Sequence, residues 1–87
     1  MKKVLILEDE ENIRSFVVIN LRRAGYDVLE AGTGMDALDR LAENPDIGVA
    51  ILDIMLPDED GLEIVAKLRR RPETKKLPVI MVTAKST

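Results

Sequence analysis

Apolar residues fall along the chain in two rhythms, short unbroken runs and longer stretches with helical spacing. Val4 to Leu7 are four consecutive apolar residues bounded by charge on both sides, the pattern of a buried strand. From Ile47 to Leu52 no residue is charged and β-branched residues recur, which predicts a strand covered on both faces. Pro78 to Thr83 forms another such run. Tyr26 to Ala31 alternates more, as an edge strand with one wetter side would. Between these runs, Ile13, Phe16, Val17, Leu21 and Ala24 recur with the period of one broad helix face over Asn12 to Ala24, and Gly25 supplies a stop. Met35, Leu38, Leu41 and Ala42 form the stripe of a shorter helix that ends at Asn44-Pro45-Asp46. In the next helix Leu62, Val65, Ala66 and Leu68 are expected inward and Glu63, Lys67, Arg69 and Arg70 outward, with Pro72 closing it. The order is βαβαβαβ. Right-handed crossovers turn that order into a doubly wound, mostly parallel α/β sheet with helices on both faces.

The residues that punctuate these elements have mostly structural explanations. Glu10 and Glu11 fall in or just before the first turn of the first helix, where the dipole favours acids. Thr33 is placed to cap the second helix, with Asp36 three residues on approximating a capping box. Gly32-Thr33-Gly34 lacks the third glycine of a dinucleotide fingerprint and the Gly-Lys-Ser/Thr of a phosphate loop, so capping is the better account. Arg69-Arg70-Arg71 with Lys75 and Lys76 sits at a helix C-terminus, where it complements the dipole and stays solvated.

Composition narrows the function classes. The chain has 87 residues, enough for one domain spanning 1–87, and a chain this short buries about 60–65% of its unfolded surface. It contains no Cys and no His, which excludes disulfides and zinc sites built from those ligands and fits a reducing cytoplasm. A net charge of −3, and a basic cluster without interleaved aromatics, argue against nucleic acid as a partner. The apolar run after Met1-Lys2-Lys3 is too short for a signal-peptide core, and no run approaches a membrane span.

The chemistry gathers at strand ends. Asp53 closes the third strand, at the edge where open α/β sheets bind ligands, although Asp is also common there as a turn former or cap. Glu8 and Asp9 follow the first strand and Thr83 ends the fourth. If those three strands are neighbours, three carboxylates and a hydroxyl share one pocket. Such crowding calls for a cation, and an all-oxygen site suits Mg²⁺. An Asp beside Mg²⁺ with a hydroxyl donor nearby is equipment for accepting a phosphoryl group, with the hydroxyl bonding one phosphoryl oxygen.

Four motifs together resemble the receiver domain of bacterial two-component response regulators. They are Val4-Leu5-Ile6-Leu7-Glu8-Asp9-Glu10, Ala24-Gly25-Tyr26-Asp27-Val28, Leu52-Asp53-Ile54-Met55-Leu56-Pro57 with Gly61, and Val79-Ile80-Met81-Val82-Thr83-Ala84. The resemblance implies a flavodoxin-like fold with strand order 2-1-3-4 over the four strands present, continuing to a fifth in the family. It implies Asp53 as phosphoacceptor, Glu8 and Asp9 as the acidic pair, a Met55 carbonyl ligand to Mg²⁺, and Thr83 as the switch hydroxyl. It also implies a histidine kinase or phosphotransfer protein as partner, a cytoplasmic location, and no enzymatic activity of its own. An Asp-nucleophile phosphatase would carry a second acid two residues after the nucleophile, where this chain has Met55.

Receivers of the family continue with a further helix, a fifth strand and a last helix, and carry their phosphate-binding lysine on or just after that strand. Lys85 lies in the loop after the fourth strand and is not that lysine. The chain therefore reads as a truncated receiver, with slow phosphorylation expected on Asp53 and a bared surface around Val79 to Val82. A homo-oligomer built on that surface is the expectation, and the alternative function is an oligomeric structural or interaction module that keeps the fold without signalling.

Overall fold

The computed structural model describes residues 2–53 and 61–82. Its elements are β1 (Lys3–Leu7), α1 (Glu11–Arg23), β2 (Asp27–Ala31), α2 (Gly34–Glu43), β3 (Ile47–Asp53), α3 (Gly61–Arg70) and β4 (Val79–Val82). The strands form one sheet in the order β2-β1-β3-β4, every pair parallel. The two central strands, β1 and β3, carry unbroken apolar runs, as strands covered on both faces require, while β4 carries such a run at the edge of the described sheet and leaves Ile80 and Val82 exposed.

Local chemistry sets the element ends. The Glu10 carboxylate accepts from the Asn12 amide at the start of α1, and Thr33 Oγ1 accepts from the Asp36 amide at 3.1 Å at the start of α2. At the end of α1, Gly25 takes φ +96, its amide donates to the Arg22 carbonyl, and the Tyr26 amide donates to the Leu21 carbonyl. That pair of bonds is a Schellman motif, and it needs a residue tolerant of the left-handed region at Gly25. Because the Tyr26 amide is committed to the helix end, β2 starts one residue later than the alternation suggests.

The sheet's two faces are covered unequally. One face packs under α2 and α3 in a cluster of Leu5, Leu7, Ala31, Ala37, Leu41, Ile47, Ala50, Leu52, Ile64 and Leu68. The other packs under α1, where the buried cluster is Ile6, Val18 and Val28, flanked by Val17, Leu21 and Ile51.

The helix faces differ from the stripes expected from sequence, and in one consistent way. Phe16 is 69% exposed, Met35 72% and Leu62 62%, whereas Val18, Ala37 and Ile64, each two residues further on, are buried. At about 100° per residue, positions two apart lie on opposed sides of a helix, so the inward sector is rotated relative to the one the apolar count favours. Ala24, Ala42 and Ala66 also lie outside, each too small to determine the choice.

After α3 the chain makes a turn that sequence did not single out. Thr74 is buried and its hydroxyl donates to the Leu68 carbonyl at 2.6 Å. Arg69 Nη1 donates to the Lys75 carbonyl at 3.0 Å and the Leu77 carbonyl at 2.6 Å. This arginine therefore caps the loop into β4, where solvation alone was expected. At the same amino-terminal edge of the sheet Lys3 Nζ meets Asp46 Oδ2 at 2.9 Å, and the hydrogen bond from Lys3 holds the Asp46 carboxyl below its ordinary value. Among the described residues no helix is long and apolar enough to cross a membrane.

Candidate functional site

The pocket at the carboxyl edge of the sheet follows from the pairing of β1 and β3. Leu7 is in register with Leu52, so the next residue on each strand, Glu8 and Asp53, emerges at the same edge. Asp53 is in turn in register with Val82 of β4. The topology thus brings the ends of β1, β3 and β4 together, and it places the end of β2 on the far side of β1.

One carboxylate oxygen from each of Glu8, Asp9 and Asp53 lies within 4.8 Å of the others. Asp53 is 0% exposed and Glu8 2%, while Asp9 is half-buried. Two unit charges at such a separation repel by roughly 3 kcal/mol at an effective dielectric of about 20, a repulsion that a divalent cation among them would reverse. Oxygen-only donors at this spacing fit a hard cation such as Mg²⁺, which takes one or two carboxylates and completes its shell with waters.

Glu8 of the acidic pair is anchored through its backbone as well as its side chain. The Glu8 amide donates to the Ala31 carbonyl at 3.1 Å, which extends the β1–β2 ladder by one bond. Glu8 Oε1 accepts from the Glu10 amide at 3.0 Å, so the carboxylate is tied to the start of α1. The Glu8 carbonyl accepts from Arg14 Nη1 at 2.8 Å. Arg14 also reaches β2, its Nε lying 3.3 Å from Glu30 Oε1.

Of the site residues expected from sequence, Glu8, Asp9 and Asp53 are brought together, whereas Met55 and Thr83 lie outside the described residues, as does Lys85. Gly32-Thr33-Gly34 serves as the start of α2 through the Thr33 cap. Arg14 was missed. It shares the inward sector of α1 with Val18 and Leu21, at i+4 and i+7, but the sequence placed the stripe on Ile13, Phe16 and Val17, so only the fold shows a charge in that sector that needs a partner.

Comparison with known proteins agrees with this geometry. The family model for the response regulator receiver domain matches residues 4–87. The alkaline phosphatase synthesis transcriptional regulatory protein PhoP of Bacillus subtilis is 42% identical over 85 residues, which are 97% of this chain and 34% of that protein. The chain thus spans about a third of that relative's length. Among solved structures, the Vibrio cholerae chemotaxis protein CheY4 superimposes with a TM-score of 0.91 at 33% identity, over 100% of this chain and 72% of that one. The response regulator protein TrrA from Thermotoga maritima, solved in complex with Mg²⁺-BeF, gives a TM-score of 0.88 at 34% identity over 99% and 72% of the two chains. A structure of histidine kinase ThkA in complex with TrrA matches with a TM-score of 0.87 at 33% identity, over 100% and 72%. With its 2-1-3-4 parallel sheet, its acidic edge and a family match over nearly its whole length, this chain belongs to the response regulator receiver domains of two-component systems.

Proposed function

We propose that this chain is a phosphoacceptor module of a two-component phosphorelay and that Asp53 takes the phosphoryl group. The observation that carries the reading is the convergence of Glu8, Asp9 and Asp53 at the ends of β1 and β3, with Asp53 fully buried beneath the edge. An Asp53 oxygen bonds to phosphorus as the bond from phosphorus to a histidine nitrogen of the donor breaks, and the leaving imidazole keeps that electron pair. A histidine kinase or phosphotransfer protein is the donor, in keeping with a relative solved on its kinase. The module is modified by this step and catalyses no turnover of its own.

Glu8, Asp9 and Asp53, with the Met55 carbonyl, would hold Mg²⁺. When bound, the ion neutralises charge on the phosphoryl oxygens. Thr83 donates its hydroxyl to one of those oxygens. Burial of Asp53 keeps water from the acyl phosphate and so extends the life of the signal.

Incubation with acetyl phosphate and Mg²⁺, followed by intact-mass spectrometry, tests the reading. The wild-type chain should gain one phosphoryl group and Asp53→Asn none. Equal labelling of the two proteins would sink it.

A further inference from the structure

We propose that Arg14 is a positioning residue for the acidic pair, acting through the main chain of Glu8; this rests on the Mg²⁺-dependent phosphoacceptor reading above. The guanidinium lies where α1, the end of β1 and the end of β2 meet. Its Nη1 donates to the Glu8 carbonyl at 2.8 Å while its Nε is directed to Glu30 Oε1 at 3.3 Å. The carbonyl it holds belongs to the peptide plane joining Glu8 to Asp9. Because that unit is planar and stiff, holding it restricts the rotations on either side of it, ψ of Glu8 and φ of Asp9, and so the directions in which both side chains leave the backbone.

The rest of the frame is equally constrained. The Glu8 amide is committed to Ala31, and the Arg14 amide donates to the Glu10 carbonyl at 2.9 Å in the first turn of α1. Gly32 completes it: a Cβ there would stand 3.2 Å from Arg14 Nη1, so the absence of a side chain lets the guanidinium lie against the backbone. The contacts of the Arg14 side chain are with the Glu8 carbonyl and the Glu30 carboxylate, and not with the carboxylates of the acidic pair. Its role is to hold the peptide from which the pair projects, as outer-shell partners do for metal ligands. A lysine could reach one of the two acceptors as a point charge but cannot bridge both, which a guanidinium does with its fixed fork.

The sign of the effect separates positioning from simple electrostatics. Removing a cation from beside three carboxylates should strengthen binding of a second cation, whereas loss of positioning should weaken it. Isothermal titration of Mg²⁺ alone into the full chain reads this directly, with circular dichroism to establish that each variant is folded. Arg14→Ala should bind roughly tenfold more weakly, the size typical for loss of an outer-shell partner. Affinity equal to or tighter than wild type would overturn the proposal. If Arg14→Ala fails to fold, Arg14→Lys decides: it keeps the charge and loses the fork, so a several-fold loss supports positioning and wild-type affinity overturns it. A wild-type chain that takes up no Mg²⁺, or one whose uptake is indifferent to Asp53→Asn, fails the parent reading and this one together. Wild-type uptake that needs Asp53 but is undiminished by either Arg14 substitution fails this one only.

Discussion

The two faces of the sheet divide the labour of this small domain. Under α2 and α3 the sheet buries a continuous cluster centred on Leu5, Leu7, Leu52, Ile64 and Leu68, all without measurable exposure. Under α1 the cluster is three residues, Ile6, Val18 and Val28, and beside it lies an open groove of about 270 Å³ lined in part by Leu21, Tyr26, Val49, Ile51 and Ile80. Yet α1 provides the contacts that hold the acidic pair, through Glu10 and Arg14. One face supplies packing and the other supplies placement. On the proposed phosphoacceptor reading both matter, because a carboxylate pair displaced by an ångström would no longer match a metal and a phosphoryl group.

Truncations should separate the faces. The largest loss is expected from Ile64→Ala or Leu68→Ala, at about 2–5 kcal/mol each for a fully buried aliphatic side chain. Val18→Ala removes two methyl groups from the thinner cluster and should cost about 1.5 kcal/mol. Urea titration followed by circular dichroism checks both, and equal losses at Leu68 and Val18 would show the faces to be equivalent.

Thr74→Val sharpens the comparison at the edge of the thicker face. It deletes the hydroxyl bond to the Leu68 carbonyl, which keeps the Arg71 amide as a longer partner at 3.3 Å, so about 1 kcal/mol should be lost in the same assay. Phe16→Ala is the contrasting control on the outer side of α1. Its exposure predicts a change within about 0.5 kcal/mol, and a core-sized loss there would mean that α1 is rotated from the arrangement described.

The smallest effect concerns pH. The Asp46 carboxyl is lowered by its hydrogen bond from Lys3, so its contribution is present above the unfolded carboxyl value and is lost as pH falls through the lower folded one. The pair is exposed, so the contribution is small and sensitive to salt. The stability difference between wild type and Asp46→Asn should be full above about pH 4, near the ordinary Asp value, and shrink as pH falls below it. A difference that widens as pH falls would reverse the sign.

The seven elements and their order could be read along the chain, because unbroken apolar runs and helical spacing are local signals. The sequence also placed Glu8 and Asp9 directly after one strand and Asp53 at the end of another, which is enough to nominate them for one edge of a parallel sheet. The resemblance already implied the strand order 2-1-3-4, which the sheet shows, whereas the register needed the folded structure, and with it the fact that Leu7 opposite Leu52 sets Glu8 beside Asp53. Only the folded structure decided which sector of each helix turns inward. Phe16 and Val18 on α1, or Leu62 and Ile64 on α3, are apolar residues on opposed sides, and nothing local distinguishes them. The sheet surface does: it accepts the side chains that fit between its own. The same rotation carries Arg14, which the sequence did not single out, against the end of β1, where its guanidinium donates to the Glu8 carbonyl.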